Sequence, residues 1–107
     1  FHAGDNYAEP WRNAKTIASG LRVPAAIGDY LVLQALRDSN GSAITTTDNE
    51  IMRWVKEVAM LEGIFMSPEG AATVSGLGDL IASGKISYDD RVLLLNTGSG
   101  LKYLDLL

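Results

Sequence analysis

An α/β architecture with parallel strands follows from three features of this 107-residue chain. Stretches of helical and strand character alternate along it, and the connections between them are short. The third is Val92-Leu93-Leu94-Leu95, four consecutive apolar residues with no polar alternation. That is the pattern of a strand covered on both faces. The predicted fold is a three-layer partial domain, with short parallel strands sandwiched by covering helices. Three short strands make a poor independent sheet, so further strands are expected from elsewhere in a longer polypeptide. The first residue being Phe1 rather than Met, with no start signal through Pro10, points the same way.

In chain order, residues 1–26 read as an irregular crossing segment and residues 27–107 as the α/β portion. Within the first part, Trp11, Ile17, Leu21 and Val23 serve as anchors, Trp11 as a core or an interface residue. Thr16 to Leu21 reads as a short extended crossing bent at Gly20 and closed by Pro24, which restricts the residue before it. A plain linker is the alternative. Asp29 caps a helix over Tyr30 to Arg37 that Asn40-Gly41 stops, and its apolar residues wrap most of the circumference, which predicts deep cover. Ala43 to Thr46 is a short β-branched strand.

Thr47-Asp48-Asn49-Glu50 has the form of a capping box, in which the threonine hydroxyl and the glutamate carboxylate each satisfy a free backbone N–H. Behind it Ile51, Trp54, Val55, Val58, Ala59 and Leu61 share one stripe, while Arg53, Lys56 and Glu57 face water. Gly63 ends this helix and Ile64-Phe65-Met66 follows as a buried strand. Ser67-Pro68 opens the next helix, with serine as cap and proline at the first position, where its missing N–H costs nothing. Val74, Leu77, Leu80 and Ile81 form its stripe, and Gly84 ends it. Gly70, Gly76 and Gly78 each cost up to about 1 kcal/mol relative to alanine, which suggests that something packs closely against them. Ser87 to Asp90 turns the chain into the apolar strand at Arg91–Leu95.

Composition excludes several chemistries. There is no cysteine, so disulfides and thiol nucleophiles are ruled out, and the one histidine, His2, sits in a polar terminal segment. A histidine triad or zinc site does not fit that inventory. The net charge of −4 gives no electrostatic footprint for nucleic acid or an anionic membrane. No apolar run approaches the roughly 18 residues that span a bilayer. A soluble, cytoplasmic protein is the expectation.

If the strands are parallel, the residues leaving their carboxyl ends gather at one rim, where α/β proteins bind ligands. Glu69 and Thr97 would meet there. Glu69 also suits the first helical turn on electrostatic grounds alone, but its small neighbours Gly70, Ala71 and Ala72 leave room for a ligand. Thr97-Gly98-Ser99-Gly100 lets the backbone turn sharply and approach a ligand closely, or merely releases the chain into its last turn. It is not a dinucleotide fingerprint, since Tyr103 stands where the third glycine would be. Asp89 and Asp90 are adjacent carboxylates that diverge in a turn. Lys102 is able to reach an anion, although a solvated lysine is the commoner case.

Three stretches together resemble the threonine synthase family, within the pyridoxal-phosphate enzymes of the tryptophan-synthase-β type. They are Thr16-Ile17-Ala18-Ser19-Gly20-Leu21-Arg22-Val23-Pro24, then Glu62-Gly63-Ile64-Phe65 with Pro68-Glu69-Gly70-Ala71-Ala72, and finally Asn96-Thr97-Gly98-Ser99-Gly100-Leu101-Lys102. The resemblance runs over residues 15 to 103. It implies a two-domain fold with pyridoxal phosphate between the domains, of which residues 1–107 form the C-terminal part. It also implies that Thr97 gives its hydroxyl to the cofactor's pyridine nitrogen, that Glu69 lies near the ring, and that Ser19-Gly20 passes the cofactor's edge. The implied reaction turns O-phosphohomoserine and water into threonine and phosphate.

In that family the Schiff-base lysine and the phosphate-binding glycine loop precede this part of the chain. Lys15, Lys56, Lys85 and Lys102 do not stand in the lysine's motif. The chain is therefore expected to supply no catalytic lysine, to be inactive alone and to hold pyridoxal phosphate weakly, with the N-terminal portion of the enzyme as its partner. An exposed apolar face would favour self-association, and a homodimer is the expected whole. A serine or threonine dehydratase is the nearest alternative, but a Ser-Gly-Gly type loop would be expected there. A non-catalytic binding or assembly module of the same fold is the alternative from another class.

Overall fold

The computed structural model describes residues 1–107. The chain divides into two compact units. One comprises Phe1–Lys15 with Arg22–Thr45, and the other comprises Thr16–Leu21 with Thr46–Leu107.

The first unit holds one helix, α1 (Asp29–Asp38), which starts from Gly28 without a side-chain cap. Asp29 is its first helical residue rather than its cap. Its carboxylate accepts from the Ala8 N–H at 2.6 Å and from the Tyr30 N–H at 2.7 Å. The deep cover expected of this helix is not present: Leu33 is its one buried residue, while Leu31 and Val32 are more than half exposed. A single helix beside irregular chain has too few neighbours to bury an apolar circumference. Asn40, in the left-handed region at φ 54°, closes the helix end ahead of Gly41.

In the second unit, α2 (Asp48–Glu62) and α3 (Pro68–Ala82) pack against each other. The Thr47 hydroxyl accepts from the Glu50 N–H at 3.3 Å, as a cap should. The Glu50 carboxylate does not complete the box; it pairs with Arg53 at 2.9 Å, one helical turn on. Gly63 ends α2 at φ 68°, a conformation costly for any residue with a Cβ. Gly84, at φ 71°, follows the end of α3.

Ala18, Ile51, Val55, Met66 and Ala71 form the core, with Trp54, Val58, Phe65 and Val74 packed on it. The stripe predicted for α2 therefore holds at Ile51 and Val55, whereas Leu61 is 72% exposed. The predicted extended crossing is a 3-10 turn at Ser19–Leu21. It is tied to the start of α2 by Thr16, whose hydroxyl donates to Asp48 at 2.6 Å.

The three strands expected at 43–46, 64–66 and 91–95 do not form. One isolated bridge, Met66 with Ser99, is present, and it is antiparallel rather than parallel. Strand pairing needs a neighbour along its whole length, and none of these segments has one. Val92–Leu95 takes no regular secondary structure, and Leu93 is 82% and Leu95 66% exposed, so the predicted two-sided cover is absent here. No helix is long and apolar enough to cross a membrane.

Candidate functional site

The start of α3 is the most heavily tied point of the second unit. Ser67, buried at the N-cap, has its hydroxyl positioned to accept from the Gly70 N–H at 3.3 Å, and Pro68 occupies the first turn. The loop Asn96–Gly100 is fixed to this start by two backbone bonds. The Ser67 N–H donates to the Gly98 carbonyl at 3.0 Å, and the Gly100 N–H donates to the Phe65 carbonyl at 2.9 Å. Side chains have no room at the second contact: a Cβ on Gly100 would lie 2.6 Å from the Phe65 ring. The close packing predicted along α3 is seen at Gly70, which is covered by the Asn96 side chain, whereas Gly78 faces open space.

Glu69, half-buried in the first turn of α3, gathers two other segments on one oxygen. Its Oε1 accepts from the Gly20 N–H at 2.8 Å and from the Tyr103 hydroxyl at 2.7 Å. An ionised carboxylate only accepts, so the Tyr103 proton points at Glu69. The Ser19 hydroxyl, 3.0 Å from the Tyr103 oxygen, must then be the donor of that third bond. A directed chain results, from Ser19 to Tyr103 to Glu69. Partial burial pushes the Glu69 carboxyl up. Hydrogen bonds from Tyr103, from the Glu69 and Gly20 backbone N–H groups and from Ser67 outweigh that and hold it below its ordinary value of 4.5.

The structure thus brings Ser19, Gly20 and Glu69 together. Thr97 stands on the same helix start, between Asn96, which covers Gly70, and Gly98, which bonds Ser67, but no hydrogen bond joins it to Glu69. The hydroxyls of Thr16, Thr46, Thr47 and Thr73 are all engaged within the protein. That of Thr97 is exposed and has no partner. Asp90 is a turn residue, its carboxylate accepting from the Ser87 N–H at 2.8 Å.

Sequence reasoning missed Tyr103, which it considered only as a failed glycine. It lies in the 3-10 segment Gly100–Leu106, at a kink between two helical pieces. An aromatic hydroxyl three positions beyond a glycine loop was the available signal, and it is a faint one.

Chemically, the arrangement offers one hydroxyl without a partner, on Thr97, and one fixed anion, Glu69. No lysine or arginine enters the network around Glu69. The open faces of Gly20, Gly70, Gly98 and Gly100 are filled by the protein's own side chains rather than forming an anion cradle.

A family described as "Pyridoxal-phosphate dependent enzyme" matches residues 1–98. Among individual proteins, the chain is 38% identical over 93 residues to a threonine synthase of Methanocaldococcus jannaschii, covering 87% of this chain and 23% of that protein. It is 39% identical over 93 residues to one of Methanosarcina acetivorans, with the same shares. A third, from Halalkalibacterium halodurans, is 35% identical over 88 residues, 82% of this chain and 25% of that protein. The chain spans about a quarter of the length of these relatives.

Proposed function

This chain belongs to the pyridoxal-phosphate dependent enzymes, and from that premise we propose that residues 1–107 are the C-terminal part of a threonine synthase. The whole enzyme would convert O-phospho-L-homoserine and water into L-threonine and phosphate, in the cytoplasm and as a homodimer. The observation that carries this reading is the Thr97 hydroxyl. It is exposed and unpartnered on a loop that two backbone bonds anchor to α3, in a chain similar to proteins named threonine synthase.

When bound, pyridoxal phosphate supplies an electron sink for the substrate's α-carbon. Thr97 would donate its hydroxyl proton to the ring nitrogen. A hydroxyl, unlike a carboxylate, does not hold that nitrogen protonated, so the pull on electrons is moderated. Glu69 would stay ionised near the ring, and Ser19-Gly20 would border the cofactor's edge, kept in place by the Gly20 bond to Glu69.

In this reading these residues would meet the nitrogen edge of the cofactor. The phosphate cradle and the lysine that anchors the aldehyde would come from the preceding portion of the polypeptide. That portion would also supply strands to pair in parallel with 43–46, 64–66 and 91–95. By themselves residues 1–107 would be inactive and would bind the cofactor weakly.

The test is made in the complete polypeptide. Thr97→Val should weaken pyridoxal phosphate binding about tenfold, the worth of one hydrogen bond of about 1 kcal/mol or somewhat more. Thr97→Asp should shift the absorbance of the bound cofactor. Wild-type behaviour in both variants, or turnover of threonine but none of O-phosphohomoserine, would sink the reading.

A further inference from the structure

We propose that Tyr103 is a positioning residue: its hydroxyl, accepting from Ser19 and donating to Glu69, clamps the turn behind the Asn96–Gly100 loop onto the start of α3 and so fixes where Thr97 points. The inference rests on the reading that Thr97 meets the cofactor.

Three segments distant in sequence meet at this hydroxyl. Ser19 is 84 positions from Tyr103 and Glu69 is 34 positions from it. The loop that carries Thr97 has its own ties on one side only, at Phe65 and Ser67. Beyond Gly100 the chain continues into the kinked 3-10 segment, whose kink is at Tyr103 itself, with φ −130° and ψ 32°. A kinked segment of this kind has few internal backbone bonds to hold it. What ties it to the rest of the unit is the hydroxyl pair, while Tyr103, Leu106 and Leu107 share the lining of one small apolar cavity with Met52, Val55 and Met66. The hydroxyl supplies the direction. The acceptor is an anion on a rigid helix start, which makes the Tyr103 bond charge-assisted and therefore the stronger of its two.

The same bond fixes Glu69. One carboxylate oxygen takes both the Gly20 N–H and the Tyr103 hydroxyl, so the rotamer that serves one serves the other. Removing the hydroxyl loosens the Ser19–Leu21 turn as well as the C-terminal one. The Ser19–Leu21 turn and the C-terminal 3-10 segment are thereby coupled through a single phenol.

Tyr103→Phe keeps the ring and deletes the hydroxyl. In the complete polypeptide without cofactor, amide hydrogen exchange should rise about tenfold at Gly20 and Gly100 and stay unchanged at Val55 in the core. Ser19→Ala, which removes only the upstream donor, should give a smaller rise of about threefold at Gly20, and decides the question if the phenylalanine variant does not fold. No rise at Gly20 and Gly100 overturns the proposal. An equal rise at all three amides also overturns it, because that is general loosening.

With pyridoxal phosphate added, fluorescence titration should show binding weakened about threefold by Tyr103→Phe and restored toward wild type by Tyr103→His, whose ring N–H is again a donor. Binding that responds to Thr97→Val but not to Tyr103→Phe removes the positioning role and leaves the proposed function standing. Binding that ignores Thr97→Val removes the proposed function, while the exchange data still judge the clamp.

Discussion

The backbone N–H of Gly20 donates to the carboxylate of Glu69 at 2.8 Å across 49 positions of sequence, and it does so because Gly20 has no side chain. A Cβ there would lie 2.9 Å from the Glu69 Oε1 and 3.2 Å from its Cγ. Gly20→Ala should therefore push the carboxylate aside and break the bonds from both Gly20 and Tyr103. A loss of about 1 to 2 kcal/mol is expected in urea denaturation, somewhat more than one neutral hydrogen bond contributes. An unchanged midpoint would mean the carboxylate moves at no cost.

The depressed Glu69 carboxyl makes stability depend on pH in one direction. A group whose folded value lies below its unfolded one contributes above the unfolded value, here about 4.5, and that contribution is lost as pH falls through the folded value. Glu69→Gln should flatten this acid limb of the melting-temperature profile and leave its shape above about pH 6 as in the wild type. The effect is modest because solvent reaches and screens the carboxylate.

Gly100→Ala tests the opposite kind of contact. Its added methyl would meet three atoms of the Phe65 ring between 2.6 and 2.8 Å, and a ring packed against the core has little freedom to withdraw. Overpacking of this sort costs about 1 to 3 kcal/mol. Shortening the ring should relieve it, so Phe65→Leu with Gly100→Ala should lose less than the two separate losses together, as measured by a double-mutant cycle.

The two helix caps should differ in worth. Ser67→Ala removes a buried cap whose N–H group then has no water to turn to, and about 1 to 2 kcal/mol should be lost. Thr47→Ala removes an exposed one, where water replaces the hydroxyl, and about 0.5 kcal/mol is expected. Calorimetry of the pair checks the order.

Leu93→Ser should leave the melting temperature of this chain nearly unchanged, within about 0.5 kcal/mol, because the side chain is already 82% exposed. Ile51→Ala, at 2% exposure, should cost about 2 to 5 kcal/mol. Comparable losses at both positions would show that Val92–Leu95 is covered after all.

What was legible in the sequence was local. Ser67-Pro68 announces the start of α3 and Gly63 the end of α2, because a cap is satisfied by atoms a few positions away. Even there Glu50 chose Arg53 over its own backbone, a contest between two nearby partners that spacing alone does not decide. The stretches read as strands make no more than the one isolated bridge at Met66, since apolar character specifies the need for a neighbour and not its presence. Glu69 and Thr97 stood out by residue type and by family resemblance. Tyr103 did not, because its worth lies in Ser19 and Glu69, and neither is near it in the chain.

The bare stretch from Val92 to Leu95 has a further consequence. Its N–H and C=O groups are available on both edges, it contains no proline, and Arg91 is its one adjoining charge. Such a ribbon is a template for cross-β assembly between molecules. Storage life of the purified 107-residue chain should then be set by fibril nucleation, which rises steeply with protein concentration, rather than by thermal unfolding.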